Sequence, residues 1–211
     1  GVDGLKTNGT QVLATQTGFN YWYVKDGKIT SSAAYNQILE PDNNVEPFSE
    51  FTEVKNGNDN WNNGRTYMYS GTALFQAQEG DGLQHKLSVC NDNRYVYYQF
   101  AQLLQKADMV MSSNYIFGLA GASHVIGFIP TNEAISTAIA AGQIPGMDAT
   151  GAVTSSSKLR QYLLSYFIRD RENALISYPY PGSAMKSSTY VTASGKSLTY
   201  TDSGSSLSIM V

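Results

Sequence analysis

His124–Ile135 reads HVIGFIPTNEAI, a short apolar run that stops at a proline and passes at once into a helix start. Val125, Ile126, Phe128 and Ile129 are β-branched or aromatic, the composition expected of a strand buried on both faces. Pro130 has no N–H to donate, so the ladder ends there. Thr131 can accept from the free N–H groups of a helix beginning at Asn132, and Glu133 puts an acid at the positive end of its dipole. Gly142 and Pro145 stop that helix.

Working outward, two more helices are expected around this unit. Asp92 can cap one in which Val96, Phe100, Leu103, Leu104, Ala107 and Met111 share a face. A serine run at 155–157 caps another, with Leu159, Tyr162, Leu163, Tyr166 and Phe167 as its apolar stripe. Phe128, Ile129 and Ile135 should be core, with Leu103, Leu104, Leu163 and Tyr166 packed near them. Tyr178-Pro179-Tyr180-Pro181-Gly182 makes a rigid turn, and three β runs end the chain at Thr189–Ala193, Leu198–Tyr200 and Leu207–Val211. Residues 1 to about 85 read as β structure with polar loops, including a two-residue hairpin at Asp26-Gly27. Arg65–Phe75 alternates polar and aromatic residues, as a half-buried strand would, and Gln78–Leu83 is the candidate boundary between halves. The expected class is α+β.

The 211 residues suffice for one large domain or two small ones, with no disulfide staple or structural metal needed. Charged residues are only 15%, against about a quarter in an average protein, and Tyr, Gly, Asn, Ser and Thr take their place. Such a surface is common in exported proteins that meet sugars or other proteins. A net charge of −3 without a basic stripe argues against nucleic acid. Cys90 is the only cysteine and reads as a small buried hydrophobe, since no apolar region precedes it to make a lipoprotein signal. No apolar run is long enough to span a membrane, and no signal peptide is present. The chain is read as an excised piece of a longer exported protein of the cell surface or periplasm, its targeting signal removed.

The stretch F-x-P-T-N-E-A-[aliphatic], built here from Phe128, Pro130, Thr131, Asn132, Glu133 and Ala134, resembles the first conserved box of fasciclin-like domains, which are extracellular adhesion and binding modules. Leu163–Ile168 (LLSYFI), followed by a turn, resembles the second box, with Phe167 after Tyr166 where the family carries a His. Asn63-Gly64-Arg65-Thr66-Tyr67, with Tyr67 in place of a His, resembles the family's closing strand. The resemblance is good over about 92–170 and looser elsewhere. It implies that 1–85 corresponds to the back half of one fasciclin-like domain and 86–211 to the front half of the next. The implied fold is a wedge of β-sheets with a cluster of helices. Its strands would stand in permuted order if Arg65–Phe75 completes the sheet begun by His124–Ile129, within one chain or in a strand-exchanged homodimer.

Catalytic constellations are sparse. His124 opens a strand, where an imidazole is usually structural. His85, placed in a loop, could pair with Cys90 as base and nucleophile, yet nothing supplies a third, orienting group. Gly80-x-Gly82-x-x-His85 fails the dinucleotide fingerprint at its third glycine. Asn58-x-Asn60-x-Asn62 has the alternate oxygens of a calcium loop, but Tyr69 stands where the bidentate acid belongs, so a solvated turn is preferred. No cofactor or metal is called for. The exposed-aromatic candidates for ligand contact are Trp61, Trp22, Tyr178 and Tyr180, which could stack on sugar C–H groups or anchor a protein, against the plainer reading that they cover a sheet face. The expected function is non-enzymatic adhesion to a protein or glycan. The alternative is a carbohydrate-capture module of a bacterial glycan-uptake system. A hydrolase would need clustered acids or a nucleophile in a pocket, and the sequence supplies neither.

Overall fold

The computed structural model describes residues 4–14, 21–31, 48–57, 64–70, 82–119, 124–170 and 186–211. The chain is α+β and divides into two compact units, one of residues 1–81 with 178–183 and the other of 82–177 with 184–211.

The first unit is an antiparallel meander of β1 (Thr10–Ala14), β2 (Tyr21–Lys25), β3 (Lys28–Ser31), β4 (Ser49–Val54) and β5 (Thr66–Tyr69), ordered as in the sequence. Asp26 and Gly27 turn β2 into β3 with φ of 48° and 79°, the left-handed pair that matches the strand twist in a tight hairpin. Val24 and Ile29, opposite one another, are buried. β5 pairs with β4, so the expectation that Arg65–Phe75 completes the sheet begun at His124 is not met: each sheet among the described residues takes its strands from one unit. The Arg65–Glu53 ion pair at 2.7 Å and the edge-on Phe51–Tyr67 contact at 5.7 Å hold β5 in that position.

All helices among the described residues lie in the second unit: α1 (Leu83–Val89), α2 (Tyr98–Lys106), α3 (Asn132–Ala140) and α4 (Ser156–Leu164). Between them lies the two-stranded ribbon of β6 (His124–Gly127) and β7 (Phe167–Asp170), and β8 (Ser188–Val191), β9 (Ser197–Asp202) and β10 (Leu207–Met210) form a separate antiparallel sheet. Phe100, Leu103, Leu104, Ile135, Leu159, Leu163 and Phe167 make the centre of the core, each at most 1% exposed. Ile126 and Phe128 cover a smaller cluster of Ile168, Tyr190, Leu198 and Tyr200.

Several expectations need correction. His85 lies in helix α1 and not in a loop. Asp92 does not cap a helix: its carboxylate binds the Arg94 backbone N–H and guanidinium, closing a turn. α2 therefore starts at Tyr98, and Val96 and Met111 fall outside it and are exposed. β6 has apolar neighbours on both faces, Val125 against the larger cluster and Ile126 against the smaller, but both are only half-buried and its described partner is β7 alone. Phe128 and Ile129 lie beyond the strand, half-buried against the two clusters. Leu163–Ile168 does not run into a turn after the box, since Phe167 and Ile168 open β7.

Candidate functional site

The stretch Pro130–Ala134 acts as a fastening between helices. Thr131 Oγ1 accepts from Ala134 N at 3.3 Å and caps α3, with Glu133 in the first turn. Asn132 reaches further: its Oδ1 accepts from Gln99 N at 2.8 Å, and its Nδ2 donates to the Tyr95 carbonyl at 2.7 Å. Its backbone N–H adds a bond to the Val96 carbonyl at 2.8 Å. Asn132 thus supplies the cap that α2 lacks at its own N-terminus. Asn132→Ala should cost about 2–4 kcal/mol, because a donor and an acceptor are left half-buried without partners; urea unfolding checks this, and a loss below about 1 kcal/mol would contradict the bridge.

Pro130 and Tyr166 meet at a cleft of about 630 Å³ in the second unit. Phe128, Ile129 and Pro130 line one part, where the chain leaves β6. Tyr162, Ser165 and Tyr166 come from the end of α4, and Lys196, Leu198, Ile209 and Val211 from the β9–β10 sheet. The local sequence explains the convergence. α4 ends as Ser165 turns its hydroxyl onto the Tyr162 carbonyl at 2.6 Å, and the Tyr166 carbonyl accepts from Phe128 N at 2.9 Å. That backbone bond extends the β6–β7 ribbon by one step and fixes Phe128 beside Tyr166.

Tyr162 and Tyr166, four residues apart, share one face of the helix end. Their hydroxyls are 2.5 Å apart and their rings edge-on at 5.2 Å. Burial pushes the Tyr166 hydroxyl above the ordinary tyrosine range, and its hydrogen bond to Tyr162 adds to this. Because the folded value is raised, the neutral phenol's contribution to stability is complete below about pH 10, the unfolded value, and is lost as pH rises beyond it. The melting temperature should therefore fall above about pH 10 less steeply in Tyr166→Phe than in the wild type. Parallel curves for the two proteins would contradict it.

Of the remaining expected site residues, Phe167 is fully buried against Phe100, with ring centroids 5.9 Å apart, and does not reach the cleft. Thr131, Glu133 and Ala134 are exposed. Gly64 is exposed, and the Tyr67 hydroxyl accepts from Leu5 N at 2.9 Å within the first unit. Trp22 is half-buried on β2 between Leu13 and Ser31. Trp61, Asn63, Tyr178, Tyr180 and the Asn58–Asn62 run lie outside the described residues. His85 is half-buried, and Cys90 is part of the core.

Chemically the cleft offers apolar and aromatic walls, two phenol hydroxyls and one ammonium group. Among the described residues lining it there is no acid and no imidazole. Its size and its balance of apolar wall to polar handles suit ligand capture. Sequence reasoning placed Tyr162 and Tyr166 in a core stripe and missed Lys196 and Ile209. The i, i+4 tyrosines were the one local signal, since a buried Tyr needs a partner for its hydroxyl. Among the described residues no helix is long and apolar enough to cross a membrane. No protein-family model matches this chain, and no curated protein and no solved structure matches it.

Proposed function

We propose that the protein is a non-enzymatic, fasciclin-like adhesion module of an exported protein, acting at the cell surface or in the periplasm. It would hold a protein or glycan partner at the cleft lined by Phe128, Pro130, Tyr162 and Tyr166. The observation that carries this reading is the meeting of Pro130 and Tyr166 at one open cleft, which residues resembling both boxes help to line. The aromatic lining also favours the second reading, carbohydrate capture, because Phe and Tyr rings stack on sugar C–H faces.

The test is binding of the whole immobilised chain to a panel of extracellular-matrix and cell-surface proteins and to a glycan array. Protein binding weakened at least about tenfold by Phe128→Ala and Lys196→Glu supports adhesion. Glycan binding weakened at least about tenfold by Phe128→Ala supports carbohydrate capture. Catalytic turnover of a glycoside or ester by the wild-type chain would overturn both readings.

A further inference from the structure

We propose that the partner held at this cleft is taken up as an added β-strand on the free edge of β10, in the antiparallel sense of its neighbours. This rests on the cleft being a binding face and specifies the partner's chemistry: an extended segment, apolar at alternate positions and carrying an acid near Lys196.

Three observations converge. First, β10 has β9 on one side and no strand on the other among the described residues. The Ser203 N–Ser206 O bond at 3.0 Å sets the phase of the β9–β10 ladder, so alternation turns the N–H and C=O groups of Leu207 and Ile209 to the open edge. Open edges are usually blunted by charge, proline or a bulge, yet residues 207–211 read LSIMV, without charge or proline.

Second, the register places Ile209 opposite Tyr200, on the same face as Leu198 and Tyr190. Over β8 and β9 that face is covered by Ile126 and Phe128, and Tyr190, Leu198 and Tyr200 are at most 5% exposed. Over β10 the cover runs out: Ile209 is 37% exposed and Leu207 58%. The uncovered face is thus continuous with one the fold already buries. A strand added to the edge would lay its inward residues over the cleft mouth, beside Ile209.

Third, area and charge choose between occupants. A stable dimer needs about 800 Å² from each partner, and the open face of a single short strand falls well below that, so backbone bonds must supply what area lacks. Lys196, the sole charged side chain among the described lining residues, calls for an acid.

The probe is the blocked peptide Asp-Val-Thr-Val-Thr-Val-Thr, fluorescently labelled and titrated against the whole chain. The expected result is saturable binding that weakens at least about tenfold when the valine nitrogens are methylated, since methylation removes donors and leaves the side chains. Lys in place of the peptide's Asp should weaken binding too. Ile209→Asp should abolish it, and Met210→Asp, on the opposite face and 66% exposed, should leave it unchanged. Circular dichroism of both variants verifies that they fold. Equal affinity for plain and methylated peptides would overturn strand addition while leaving the cleft as a binding face. So would absence of peptide binding, or sedimentation of the wild type as a dimer that Ile209→Asp dissociates. Failure of the wider binding panel would instead strike the adhesion reading.

Discussion

Phe167→Ala is expected to destabilise the chain by about 3–5 kcal/mol, the range for emptying a buried aromatic site. Phe167 is 0% exposed and is the first residue of β7. Its ring lies against Phe100, and it approaches Gly127 so closely that a β-carbon there would sit 3.0 Å from its edge. Its backbone also holds the ribbon to the sheet, because the Phe167 carbonyl accepts from Ala193 N at 2.7 Å. Backbone on both sides fixes the cavity left by alanine, so little collapse can offset the loss. Urea unfolding followed by the helical circular dichroism signal reads this unit, since every helix among the described residues lies in it. A loss below about 1.5 kcal/mol would place Phe167 outside the core.

Gly146→Ala should cost about 3 kcal/mol or more, although it adds a single methyl group. Gly146 has φ of +83°, a conformation that strains an L-residue by roughly 1–2 kcal/mol. A β-carbon there would also collide with the Ser155 carbonyl oxygen and come within 2.7 Å of Leu159 N. Both are backbone atoms, so no side chain can swing aside. The Gly146 carbonyl accepts from Thr154 N at 2.8 Å and Ser155 N at 3.1 Å, which presses this turn against the start of α4. Displacing it moves α4, which carries Tyr162 and leads directly into Tyr166. The substitution should therefore lower both the unfolding midpoint and the affinity at the cleft, measured by denaturation and by the binding panel. By contrast Gly142→Ala meets no atom within 4 Å and is strained by its φ of +65° alone, so it should cost less.

Local chemistry made much of the fold legible. Thr131 and Ser155 cap α3 and α4, Asp26-Gly27 closes its hairpin, and the stripe of Leu159 and Leu163 lies in the core, because each depends on neighbours a few residues away. The errors came where a competing or a distant group decided the outcome. Asp92 looks like a helix cap, but the Arg94 guanidinium two residues on competes for its carboxylate. The bond to Gln99 N that would have identified the start of α2 comes from Asn132, 33 residues away. The run at Val125–Ile129 has the composition of a central strand, yet its pairing with β7 ends one backbone bond past Gly127, and Phe128 and Ile129 turn onto two different clusters. The cleft was only half legible. Its Phe128–Pro130 and Tyr162–Tyr166 stretches stand out in the sequence, but Lys196 and Ile209 enter through strand pairing, which no local pattern encodes.

The most direct measurement is an NMR titration of the isotope-labelled whole chain with a protein or glycan that binds in the panel. The account predicts that the largest shifts fall on Phe128, Ile129, Tyr162, Tyr166 and Ile209, with Met68 and Trp22 of the first unit unmoved. Shifts confined to residues away from the cleft would contradict it.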